Sequence, residues 1–124
     1  MNWIIPMVAG LVIVAFIALK RMALVSAALA RKLVREGALV IDVRSPEEFR
    51  SGHVPEAMNI PLGEFRESLP RRVKDKSQVL LLHCLSGGRS GIAQHQAKLL
   101  GYRKVFNLGS YGRAERIVGA SRST

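Results

Sequence analysis

The sequence predicts an α/β fold: a central parallel sheet flanked by helices and preceded by a transmembrane helix. Three observations carry that expectation. Short apolar runs, "ALVID" at 38–42, "QVLLLHC" at 78–84 and "KVFNL" at 104–108, alternate with stretches of helical periodicity, the pattern of strands joined by helical crossovers. The runs lack polar alternation, as strands buried on both faces do. Finally, "MNWIIPMVAGLVIVAFIAL" at the N-terminus carries no charged side chain, whereas all 19 Lys and Arg and all 9 Asp and Glu follow it.

That break in composition divides the 124 residues into a transmembrane helix with a basic flank (1–21), one small domain (22–119) and a polar C-terminal tail (120–124). The part after the anchor is long enough for a single core and too short for two. As a helix, the apolar run reaches about 28 Å at ~1.5 Å per residue, close to the ~30 Å hydrocarbon thickness of a bilayer. Pro6 falls in the first turn or so, where its missing N–H does little harm. Trp3 suits an interfacial anchor, and Lys20 and Arg21 close the other end. A cleaved signal peptide is the rival reading, but no basic region precedes the apolar core. A buried core helix is the weaker rival, since no face of the run is polar.

Lys20, Arg21, Arg31, Lys32 and Arg35 all lie on the C-terminal side of the run, and nothing basic lies before it. The expected placement is a single-pass protein of a bacterial-type inner (plasma) membrane, with the N-terminus outside, the domain in the cytoplasm and the lipid bilayer contacted through residues 3–19. The single cysteine agrees, because it has no internal disulfide partner and a reducing compartment keeps it as thiol. A formal net charge of +10 invites a nucleic-acid reading. However, 1 Trp, 2 Tyr and 4 Phe are too few to interleave with scattered basic residues, so no nucleic acid is expected. A solvated surface beside anionic headgroups accounts for the charge.

Taken in order, "MALVSAALARKLVREG" (22–37) places Val25, Leu29 and Leu33 on one helical face, with Ser26 as a candidate N-cap and Gly37 as a stop. A helix continuous with the anchor is an open alternative. "ALVID" is a strand. Ser45 before Pro46 and Glu47 starts a short helix, Gly52 and Pro55 mark a loop, and "AMNI" is a brief strand. "LGEFRESLPRRV" predicts a helix up to Pro70, and Asp75 and Lys76 fall in the turn after it. "QVLLLHC" is the strongest strand signal. "RSGIAQHQAKLLG" predicts a helix closed by Gly101, "KVFNL" the last strand, and "GRAERIVGA" at most two turns of helix.

Ligands in open α/β sheets sit beyond the carboxyl ends of the strands, which is where Cys84 falls. Gly87 and Gly88 let the backbone curl so that successive N–H groups point inward and form an anion nest. Arg89 and Ser90 open a helix whose positive end points at the same spot. A thiol so placed loses its proton below its free value of ~8.5 and is a nucleophile without a separate base. A buried structural cysteine is the blander reading, but it leaves the Gly-Gly, the Arg and the helix start unexplained.

Cys84, four intervening residues, then Arg89 and Ser90 resembles the active loop of the rhodanese (sulfurtransferase) family. The loop of tyrosine phosphatases, and of enzymes that act on phosphate or arsenate, is one residue longer. "VIDVRSPEEFRSGHVPEAMNIPL" (40–62) resembles the family's other signature, and "YRKVFNLGSYGRAERI" its terminal strand and turn, so the likeness runs from about Ser26 to Val118. Two features depart from the family: Leu85 and Ser86 stand where many thiosulfate-using members have basic residues, and the final helix is cut down.

The resemblance implies a Cys84 persulfide. It would be loaded from a small anionic sulfur donor such as thiosulfate or a persulfide and discharged to a thiol or to cyanide, with no cofactor. Leu85, Ser86, Gly87, Gly88, Arg89 and Ser90 would form the substrate-binding loop, with Arg89 orienting the donor. Asp42 and Arg44 match the turn beneath the loop. His83 faces away from Cys84 on an extended strand and tunes or packs it. His53 braces a loop, and His95 lies on a helix surface. One cysteine and three separated histidines do not make a metal site. A non-catalytic, membrane-tethered binding module and a phosphatase or arsenate-reductase-like enzyme are the alternatives.

Overall fold

The structure, a computed structural model, describes residues 2–122. Helices α1 (Ile4–Met22) and α2 (Ala27–Arg35) lead into strand β1 (Leu39–Asp42) and helix α3 (Pro46–Ser51). Strand β2 (Met58–Asn59), a 3₁₀ turn (Leu62–Glu64) and α4 (Phe65–Arg72) follow. β3 (Leu80–His83), α5 (Gly88–Leu99), β4 (Val105–Gly109) and α6 (Tyr111–Arg122) complete the chain. The four strands pair in the order β2-β1-β3-β4, every pair parallel.

Strand alternation divides the core into two layers. Ile41, Leu80, Leu82 and Val105 face α4 and α5, where Phe65, Leu69, Ala93 and Ala97 are buried. Val40, Leu81 and Leu108 face α2 and α6 and meet Ala30, Ala114, Ile117 and Val118. Both faces being covered explains why the strands read as unbroken apolar runs.

Local signals set the helix ends. Ser26 caps α2, its Oγ accepting from Leu29 N–H at 3.2 Å. The chain between α1 and α2 is not helical, so the two are separate helices. Ser45 and Glu48 form a complete capping box at α3, with Pro46 in the first turn. Gly101, at φ +101°, closes α5 in the left-handed region.

Three expectations need correction. The apolar run folds as α1, but among the described residues no helix is long and apolar enough to cross a membrane. Its uncharged part, Ile4–Leu19, reaches about 24 Å at ~1.5 Å per residue, short of the ~30 Å required. A span through residues 3–19, and the bilayer as the partner of that span, are therefore not supported. The side chains of Lys20 and Arg21 lie outside what the structure describes. Second, Pro70 does not end α4; the helix continues to Arg72. Proline removes one N–H but its fixed φ is helical. Third, α6 runs to Arg122, so residues 120–122 are helix rather than tail, while 123–124 lie outside the described residues. Packing of Ile117 and Val118 against α2 outweighs the poor propensity of Gly112 and Gly119.

Candidate active site

β3 is one of the two inner strands of the sheet, hydrogen-bonded to β1 on one side and β4 on the other. It ends at His83, and Cys84 is the next residue, with no exposed surface. Both neighbouring strands hold it in place: Cys84 N–H donates to Gly109 C=O at 3.1 Å, and Val43 N–H donates to His83 C=O at 3.0 Å. The register between β3 and β4 slips at His83, which pairs with Gly109. Gly109 accommodates the slip at φ +92°, and a Cβ there would stand 3.2 Å from Leu24 Cδ2. Glycine is the residue that suits both demands.

Beyond Cys84 the chain turns back on itself. Gly87 adopts φ +103° and caps α5, which directs its N–H onto Cys84 Sγ at 2.9 Å. Ser90 Oγ lies 3.5 Å from Sγ and 2.7 Å from Asn107 Oδ1. A hydroxyl has one proton, so the shorter contact marks its acceptor in the resting thiol state, and Asn107 holds the hydroxyl beside the sulfur. Burial pushes the Cys84 thiol up, but the Ser90 hydroxyl and the N–H groups of Ser90, Gly87 and Ser86 outweigh it, and the net shift is down. Of the N–H groups expected to form a nest, that of Gly87 is hydrogen-bonded to the sulfur.

Beneath the loop, Asp42 and Arg44 form a buried pair. Arg44 Nη2 donates to Asp42 Oδ2 at 2.8 Å and Nε to Oδ1 at 3.0 Å, while Arg44 N–H donates to Oδ1 at 2.9 Å. Nη2 also reaches Gly52 C=O at 2.7 Å, and the guanidinium lies 4.4 Å over the Tyr111 ring. His83 is fully buried, its Nδ1 3.3 Å from Cys84 C=O and its Nε2 3.9 Å from Asp42 Oδ2, with no hydrogen bond to Nε2. Burial lowers its pKa against the pull of Asp42, so it is neutral and donates through Nδ1. Its Nδ1 bond to Cys84 C=O attaches it to the first peptide of the loop.

One functional residue escaped the sequence reading. Glu48 caps α3 and also accepts both Arg89 Nη1–H, at 2.7 Å, and Arg89 Nη2–H, at 3.0 Å. The Arg89 guanidinium and the Ser45 N–H hold its carboxyl down to about 2. Arg89 therefore stands at the rim with its charge already answered. Leu85 is exposed beside it. His53 stacks on Phe49 at 3.8 Å and its Nδ1 lies 2.8 Å from Phe49 C=O, bracing the loop before β2. His95 is exposed on α5. Among the described residues, no group of three or more His, Cys, Asp or Glu is placed to hold a metal ion.

Residues 26–112 match the model of the rhodanese-like domain. The chain belongs to the rhodanese-like domain family. Over 69 residues it is 41% identical to the thiosulfate sulfurtransferase PspE of Escherichia coli, a match covering 56% of this chain and 66% of that protein. It is 35% identical to the putative sulfur carrier protein YrkF of Bacillus subtilis over 36% of the latter's length. The chain thus spans less than two thirds of these curated relatives. A solved rhodanese from E. coli superposes with a TM-score of 0.60 at 36% identity, covering 62% of this chain and 91% of that one. The human single-domain sulfurtransferase TSTD1 does so with a TM-score of 0.66 at 30% identity, over 76% and 96%. The rhodanese-like match includes the whole loop from Cys84 to Ser90 and the Asp42–Arg44 turn.

Proposed function

We propose that this rhodanese-like chain is a sulfurtransferase that carries sulfane sulfur as a persulfide on Cys84. The single observation that carries the proposal is the 2.9 Å bond from Gly87 N–H to Sγ inside a loop of donors. Such a ring stabilises a thiolate, and equally the anionic outer sulfur of a persulfide. In the loading step, Cys84 thiolate attacks the outer sulfur of thiosulfate, the S–S bond of the donor breaks, and sulfite leaves with the electron pair. An organic persulfide donates in the same way and leaves as a thiolate. Because the chain has one cysteine, no internal thiol discharges the product, and a thiol or cyanide from outside takes the sulfur.

The test is intact-protein mass spectrometry after incubation with thiosulfate or an organic persulfide, then with cyanide. The expected result is one added sulfur on the wild type and none on Cys84→Ser, with cyanide releasing it as thiocyanate. No gain from either donor would favour a non-catalytic binding module. The pH dependence is a second check. A lowered thiol pKa keeps the thiolate populated below the ordinary range, so iodoacetamide should modify the native protein faster near pH 7 than a free cysteine of the same accessibility. A midpoint at the free value would remove the electrostatic basis of the proposal.

The cytoplasmic placement of the domain is also our proposal, motivated by the lone thiol, which a reducing compartment keeps reduced. Protease added to intact cells should leave the domain whole and should digest it after lysis; cleavage in intact cells would reverse the placement.

A further inference from the structure

A cavity of about 710 Å³ opens beside the loop, between the C-terminal part of α1 and the first turns of α5. Its size is that of a small-molecule site, roughly 300–1,000 Å³. Ile17 and Leu24 line one side, Ile92 the other, and Ser86, Gly87 and Gly88 of the Cys84 loop form part of the wall. The two amides in the lining are already engaged: Gln94 donates to Val105 C=O, while Asn107 donates to Gly87 C=O and accepts from Ser90 and Gly109. Ile17 and Ile92 are about half exposed, leaving apolar surface that a ligand would cover. Ser86 and His95 are the remaining polar side chains of the lining, so the space offers an apolar body contact area and few hydrogen bonds.

We infer that this cavity seats the hydrocarbon part of the sulfur acceptor, and that the acceptor is an apolar thiol. The inference rests on the sulfurtransferase reading above. Thiosulfate has no hydrocarbon part, so when thiosulfate is the donor the partner that fills an apolar cavity is the one that takes sulfur away. Arg89, the cation of the loop, is bound by Glu48 through two hydrogen bonds, which weakens any preference for an anionic acceptor. The shared wall at Ser86–Gly88 puts a bound chain next to the ring that holds the outer sulfur. In the transfer step, the acceptor thiolate forms a bond to the outer sulfur. The bond from that sulfur to Cys84 Sγ breaks, and its electron pair returns to Sγ as thiolate. The outer sulfur keeps the negative charge it carried on Cys84, and the acceptor leaves as a persulfide anion.

The experiment compares discharge of the sulfur-loaded full chain by ethanethiol, butanethiol and hexanethiol, with cyanide as reference. Each buried methylene contributes about fourfold, so burial of even two of the four extra methylenes should make the hexanethiol rate exceed the ethanethiol rate by about tenfold or more. In Ile92→Ser and Ile17→Ser, the hexanethiol-to-cyanide rate ratio should fall severalfold. Equal rates across the series, with cyanide still discharging the wild type, would overturn the inference and leave the sulfurtransferase reading standing. A second arm needs no catalysis: calorimetric binding of ethyl, butyl and hexyl methyl sulfides to Cys84→Ser. Affinity that climbs with chain length supports the cavity even if no persulfide ever forms, and affinity that does not climb overturns it.

Discussion

Two carboxylate–guanidinium pairs flank the Cys84 loop, and water separates their roles. Asp42 and Arg44 are almost wholly buried beneath it, with Arg44 Nε and Nη2 held on Asp42 and Nη2 also on Gly52 C=O. Glu48 and Arg89 meet at the rim, with side chains 31% and 37% exposed. The contacts are equally short, but their consequences differ. A buried charge that loses its partner has no solvent to turn to, so the inner pair is structural. The outer pair competes with water and salt, so it adjusts charge at the entrance at little cost in stability.

The sharpest way to break the comparison is Arg44→Met. Removing one member of a buried pair strands Asp42, and a loss of about 3–5 kcal/mol is expected in urea unfolding. A loss below about 1 kcal/mol would mean that the inner pair is no more structural than the outer one. Next comes Glu48→Gln, with a smaller effect on stability and a specific one on pH. The Glu48 carboxyl is lowered from 4.5 to about 2 in the folded chain. Its contribution is therefore complete above pH 4.5 and is lost as the pH falls toward about 2. The stability difference between wild type and Glu48→Gln should shrink over that window, and a constant difference would count against the ion pair. The same variant frees Arg89 and should lower KM for thiosulfate severalfold, measured with cyanide as acceptor. The smallest effect belongs to a pair far from the site. Lys32 and Glu36 lie 3.9 Å apart with side chains 67% and 54% exposed, and Glu36→Gln should change stability by less than ~0.5 kcal/mol.

The same contrast between local and distant explains what the sequence made legible. Ser45 before Pro46 and Glu47 shows as a helix start along the chain, and the Asp42–Arg44 turn shows through the family resemblance. The strand before Cys84 shows as an apolar run because both faces of β3 are covered. The second role of Glu48 is invisible to such reading: Arg89 is 41 positions away, and the capping box already accounts for a glutamate there. The signal that would have helped is a cap residue with a carboxylate oxygen to spare next to a motif that holds an arginine. The ends of α4 and α6 were hidden for a related reason. Pro70, Gly112 and Gly119 argue for breaks on propensity, but Leu69, Ile117 and Val118 are buried by neighbours that local sequence does not name. Ser121 continues the last turn by donating its Oγ to Ile117 C=O at 2.7 Å. The apolar N-terminal run, by contrast, announced a helix correctly and a bilayer crossing that its uncharged length does not support.

The attachment of Cys84 to both neighbouring strands also bears on how the protein fails. The bonds from Val43 to His83 and from Cys84 to Gly109 tie the reactive turn to the most enclosed part of the sheet, where opening demands nearly the whole free energy of unfolding. Such a centre has no half-working state as the temperature rises: it is lost together with the domain. On the persulfide proposal, sulfur uptake by a population of chains thus counts the molecules that are still native.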